Sequence, residues 1–140
     1  MSQDNEFLFV YGTLLRQSQS PMSSMLSTKS RFVGNGYVNG MLYDIGEYPG
    51  AILTNKDNEK IQGEIFNLKN PAATLRELDF YEECSEKSPW PHEFKRIKTA
   101  VTLDSGKRVT AWIYEFNLPT DNYSRIESGD YMSYLGLVVT

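Results

Sequence analysis

The segment Leu78-Asp79-Phe80-Tyr81-Glu82-Glu83 spaces its carboxylates so that one of them shares the apolar face of a helix. Glu82 follows Leu78 by four residues and Asp79 by three, separations that bring side chains onto one helix face. Glu77 and Glu83 turn toward solvent in the same projection. A carboxylate on an apolar face near a helix C-terminus is disfavoured as an anion twice, by desolvation and by the negative end of the helix dipole. Its pKa rises, and a glutamate tuned upward is a competent general base near neutral pH. Read locally, Glu82 also fits a plainer role, fraying out at the helix end to pair with a lysine or arginine.

A second candidate is Tyr11-Gly12-Thr13-Leu14, where an apolar strand runs straight into a glycine. Such a bend turns successive backbone N–H groups toward one point and forms a concavity for an anion. Gly12 lets a ligand carboxylate approach the backbone closely. On local grounds the segment equally serves as an ordinary turn after a strand.

The remaining chemistry-bearing residues narrow the field by exclusion. One cysteine forbids an intramolecular disulfide and an all-cysteine zinc site, and one histidine forbids a multi-histidine metal site. Cys84 and His92 flank a proline-containing loop and read as a free thiol and a surface imidazole rather than a nucleophile and its base. The glycines at 34, 36 and 40 lack the dinucleotide-binding spacing. Glu127 and Asp130 read as a solvated pair. The 14 basic and 18 acidic residues give a net charge of −4, which argues against a nucleic-acid surface or a polybasic membrane anchor. The N-terminus has neither a basic region nor a long apolar run, so it does not read as a secretory signal and the expected compartment is the cytoplasm. With 140 residues, 40% of them hydrophobic, the chain is expected to fold as one domain over residues 1–140, with residues 1–6 as a flexible tail.

The elements that must position these residues follow from pattern. Residues 7–11 are a continuous apolar run and predict a strand buried on both faces. Ser20-Pro21 is a helix start, with the helix running to about residue 26. Residues 31–45 predict one long bent strand or two short ones, and residues 51–54 a short strand. Residues 56–59 predict a polar hairpin tip and residues 61–68 the next strand. Asn70-Pro71 opens a helix to about residue 83. Ile97, Thr99, Val101 and Leu103 alternate along a half-buried strand. Asp104-Ser105-Gly106 turns into a last clear strand over 109–116, and the tail from 117 reads as turns. Six or seven strands and two short helices, joined by short connections, make an α+β chain with a mixed or antiparallel sheet, with curling into a barrel as one outcome.

Taken in order, the segments resemble the gamma-glutamylcyclotransferase-like family, including its gamma-glutamylamine cyclotransferases. Phe9-Val10-Tyr11-Gly12-Thr13-Leu14 is similar to its first signature, and the run from Gly40 to Gly50, which contains Tyr48-Pro49, to its second. Gln62-Gly63-Glu64-Ile65-Phe66 is similar to the third, and Leu78-Asp79-Phe80-Tyr81-Glu82 to the helix bearing the catalytic glutamate. Phe94-Lys95-Arg96 and Ala111-Trp112-Ile113-Tyr114 resemble the closing hairpin. The resemblance implies a small mixed β-barrel of six to seven strands with short flanking helices. It implies an enzyme that cyclises a gamma-glutamyl amide or peptide to 5-oxoproline and releases an amine or amino acid, without metal or organic cofactor.

Carried onto this sequence, the substrate loop is Tyr11, Gly12, Thr13 and Leu14, the pocket wall includes Tyr48 and Pro49, and the acid/base is Glu82. The implied partner is a small molecule with a gamma-glutamyl group, with no nucleic acid and no membrane. Three features depart from the family pattern: Glu83 stands where glycine is common, Phe94 stands where a tyrosine would offer a hydroxyl, and the stretch Cys84 to Glu93 is longer than in some relatives, which would reshape the pocket rim. The alternative carried forward is a non-catalytic protein of the same fold that binds a carboxylate or amino-acid-like ligand.

Overall fold

The computed structural model of the chain describes residues 6–12, 14–18, 20–81 and 92–136. The apolar run at the start forms β1 (Phe7–Val10), whose last three residues are buried. A short 3-10 helix (Arg16–Ser18) follows, then α1 (Pro21–Lys29). Ser20 caps α1, its side chain accepting from Ser23 N at 3.0 Å, with Pro21 at the first helical position. The helix runs three residues beyond the expected end at Leu26. Nothing in Ser27-Thr28-Lys29 breaks a helix, and the chain leaves it only where Ser30 turns extended.

Next come β2 (Ser30–Asp44), β3 (Pro49–Leu53), β4 (Lys60–Leu68) and α2 (Pro71–Tyr81). The chain continues through β5 (Phe94–Leu103), β6 (Arg108–Phe116), β7 (Ser124–Ile126) and α3 (Tyr131–Tyr134). Five strands close a barrel in the order β2-β4-β1-β6-β5, with β5 returning to β2. All the barrel pairings are antiparallel except β1 with β6, which run parallel. The fold is therefore α+β, a mixed barrel with β3 and β7 beside it. No helix among the described residues is long and apolar enough to cross a membrane.

The long strand β2 organises the rest. Its residues Ser30 to Asn39 pair with β4, and its residues Gly40 to Asp44 pair with β3. Leu42 to Asp44 also pair with β7 on the other edge. The expected hairpin over residues 56–59 is thus a turn of a different kind. The strands on either side of it lie end to end along one partner, β2, rather than pairing with each other. The barrel closes where Gly36 stands opposite Gly63 on β4 and Leu103 on β5. A Cβ on Gly36 would lie 2.4 Å from the Thr102 carbonyl oxygen, so only glycine permits that approach.

The tail carries β7 and α3 where only turns are expected from sequence. β7 has three residues with a single buried side chain, Ile126, too short for any periodic signal. Asp130 has a further part there: its Oδ1 accepts from Ser133 N and caps α3. Tyr134 donates to Asp44 Oδ2 at 2.6 Å, which raises its pKa. Burial, then Asp44, raises that of Tyr131.

Helix α2 buries Thr74, Leu75 and Leu78. It is tied to the barrel wall by a polar cluster. Asp79 accepts from Arg96 Nε at 2.7 Å, from Arg96 Nη2 at 3.1 Å and from the Tyr114 hydroxyl at 2.7 Å. The Arg96 guanidinium stacks over the Trp112 ring at 4.3 Å. Fork-shaped pairing of this kind fixes orientation as well as adding energy.

Four substitutions test these contacts, each read from its urea unfolding midpoint. Gly36→Ala loses about 2 kcal/mol by forcing apart the closing strands, whereas Gly34→Ala, whose added Cβ meets only Leu103 Cδ2 at 3.6 Å, stays within about 0.5 kcal/mol of the parent. Asp79→Ala loses about 2 kcal/mol, because it removes the bonds from Arg96 and from the Tyr114 hydroxyl, and Tyr114→Phe loses about 1 kcal/mol.

Candidate active site

A cavity of about 210 Å³ opens at the C-terminal end of β1. Phe9, Val10 and Tyr11 form its floor, and Gly12 and Leu14 carry the wall onward. Tyr48, Pro49, Phe94 and Tyr114 also line it, and Tyr81 and Glu93 border it. Five of the residues singled out from sequence, Tyr11, Gly12, Leu14, Tyr48 and Pro49, thus meet around one space. Thr13 and Glu82 lie outside the described residues, as does Cys84. His92 is described, half-buried beside β5, with its carbonyl accepting from Asn117 Nδ2.

Local chemistry explains why the chain bends here. The Tyr11 hydroxyl donates to the Tyr114 carbonyl at 2.5 Å and accepts from Ala51 N at 3.3 Å. Gly12 then packs so closely on Pro49 that an added Cβ would lie 2.6 Å from the proline Cγ. Its carbonyl accepts from Leu15 N at 3.0 Å and closes a turn. The far end of the turn is held by Glu64, which stands opposite Val10 in the β1–β4 register. Its Oε1 accepts from Arg16 N at 3.0 Å and its Oε2 from Arg16 Nε at 3.1 Å. Glu64 is only 8% exposed while the Arg16 side chain reaches solvent, so the carboxylate is the buried anchor, and its two bonds to Arg16 fix the orientation of the segment.

At the mouth, the Tyr48 hydroxyl donates to Glu93 Oε1, and the Tyr48 ring lies 5.9 Å from that of Phe94. Phe94 is buried, so the position that lacks a hydroxyl relative to the family pattern is a wall of the cavity. The described lining includes one carboxylate, that of Glu93, and no lysine, arginine or histidine.

Sequence reasoning does not single out Glu64, Glu93 or Tyr114 as individual residues. Glu64 and Tyr114 lie within segments that carry the family resemblance, which is the available signal. Their partners, Arg16 and Asp79, are 48 and 35 positions away, a separation no local pattern spans.

The chain is similar to known proteins in both sequence and fold. The family model described as gamma-glutamyl cyclotransferase, AIG2-like, matches residues 8–133. The Escherichia coli protein YtfP, named as a gamma-glutamylcyclotransferase family protein, is 32% identical over 89% of this chain and 95% of its own length. A Methanocaldococcus jannaschii protein, provisionally named a gamma-glutamylcyclotransferase, is 31% identical over 94% of this chain and 99% of its own. Among solved structures, a mouse AIG2-like protein superposes with a TM-score of 0.71 at 23% identity, covering 99% of this chain and 97% of that one. The solution structure of YtfP superposes with a TM-score of 0.64 at 30% identity, covering 91% and 97%. The chain belongs to the AIG2-like gamma-glutamyl cyclotransferase family.

Proposed function

We propose that the protein cyclises a γ-glutamyl amide or peptide to 5-oxoproline, releasing the amine or amino acid, with Glu82 as general acid/base. The observation that carries this reading is the convergence of Tyr11, Gly12, Leu14, Tyr48 and Pro49 on one cavity that Tyr81, the residue before Glu82, also borders.

The substrate's own α-nitrogen attacks its side-chain carbonyl carbon. A C–N bond forms within the five-membered ring, and the original amide C–N bond breaks. Two protons leave the α-ammonium nitrogen and two arrive on the departing nitrogen, which leaves as an ammonium ion. Glu82 accepts each proton and returns it, acting as base and then as acid. The N–H groups around Gly12 and Leu14 hold the substrate carboxylate or the oxyanion that develops on the attacked carbonyl. Confinement against Tyr48 and Pro49 holds the flexible glutamyl chain in a ring-closing conformer and lowers the barrier further. The wall is suited to that work because Gly12 and Pro49 are in contact and cannot part without moving the loop.

Incubation with a panel of γ-glutamyl dipeptides and γ-glutamyl amines, followed by mass-spectrometric assay for 5-oxoproline, is expected to yield product from at least one compound. Glu82→Gln is expected to lower kcat/KM for it by about 100-fold or more. No product from any compound, or full turnover by Glu82→Gln, contradicts the reading. Gly12→Ala is expected to raise KM about tenfold by displacing Pro49 and the loop, with a smaller change in kcat. An unchanged KM would detach Gly12 from the substrate.

A further inference from the structure

The nature of the released amine bears on one side chain of the cavity wall. Glu93 lies immediately before β5, and its carbonyl accepts from Asn117 N at 2.7 Å, so its backbone is fixed. Its side chain is held as well, by the Tyr48 hydroxyl donating to Oε1. That bond occupies one carboxylate oxygen and leaves the negative charge in place. Among the described residues Oε2 has no donor, and the described lining offers no cation to balance it.

The cavity is graded from floor to mouth. Tyr11, Gly12 and Leu14 are buried, Tyr48 and Glu93 are half-buried, and Tyr81 is exposed. On the reading proposed above, the glutamyl carboxylate sits at the loop, so the amide and the group that leaves it point toward the mouth and Glu93. A fixed charge in a partly desolvated wall acts more strongly there than in open water. Juxtaposed like charges are a strong ground for rejecting a ligand.

We infer that Glu93 selects the leaving group by charge. The favoured substrate is a γ-glutamyl amide whose amine side ends in a second, protonated nitrogen, and one whose amine side ends in a carboxylate is rejected. The inference rests on the proposed function for the direction in which the substrate lies. It rests on Glu93 and Tyr48 for the selection itself.

Three amides of matched length test it: γ-glutamyl-1,4-diaminobutane, γ-glutamylbutylamide and γ-glutamyl-4-aminobutanoate. They end in an ammonium, a methyl and a carboxylate group. The parent protein is expected to favour the ammonium compound over the carboxylate compound by about tenfold or more in kcat/KM. Glu93→Gln, which keeps an acceptor for Tyr48, is expected to bring that ratio close to one, and Glu93→Lys to invert it. A ratio measured within one preparation does not depend on how much of a variant is folded.

A parent protein without the preference, or a Glu93→Gln ratio equal to the parent's, overturns the inference. If none of the three compounds yields 5-oxoproline, the reaction proposed above fails for this set, and calorimetric titration of the same compounds decides the charge selection separately. Tighter binding of the ammonium compound that is lost in Glu93→Gln upholds it. Equal affinities, or no binding of any of the three, overturn it.

Discussion

Tyr114 is bonded at both ends, and the two sides of the cavity depend on it. Its carbonyl accepts from the Tyr11 hydroxyl, and its own hydroxyl donates to Asp79. The first bond fixes the end of β1 and the turn that begins at Gly12. The second fixes α2, whose last described residue, Tyr81, borders the cavity. A buried tyrosine brings a large apolar ring and one polar atom that must find a partner. Here that requirement joins a loop and a helix that are far apart in sequence through β6. Asp79 adds Arg96 to the same junction, so β5 is held in the same arrangement.

The loop side is preorganised in the same manner. Tyr11 is bonded to β6 and β3, Gly12 is packed against Pro49, and Glu64 holds Arg16 by backbone and side chain. A segment restrained at three successive points keeps its amides oriented before any ligand arrives, which is what electrostatic stabilisation of a developing charge requires. The overall charge of −4 plays little part at such short range. On the proposed function, a ligand meets the N–H groups of the loop at one end and Glu93 at the other.

The elements with a strong local signal are legible in the sequence. The unbroken apolar run of β1, the Ser20-Pro21 and Asn70-Pro71 helix starts and the alternation of β5 all correspond to described elements. The register is not legible. Nothing in residues 30–44 tells that one strand serves β4, β3, β5 and β7 in turn, since pairing is settled by distant partners and by the closing contact at Gly36. The tail escapes for the opposite reason, because a three-residue strand and a four-residue helix are shorter than any period they would show. At the site, Tyr11, Gly12, Leu14, Tyr48 and Pro49 are marked by family resemblance and lie around one cavity. Glu93 carries no such mark, because its significance is its position on the wall, not the company it keeps in sequence.

On the proposed function, this cavity receives a γ-glutamyl group with its charged end at the loop. A crystal structure with 5-oxoproline bound tests it most directly. The expected result is the ring seated between Tyr48, Pro49 and Tyr114, with its carboxylate about 3 Å from N–H groups of the turn that begins at Gly12. A product molecule seated away from this cavity, or in it with its carboxylate turned to the mouth beside Glu93, would contradict the account.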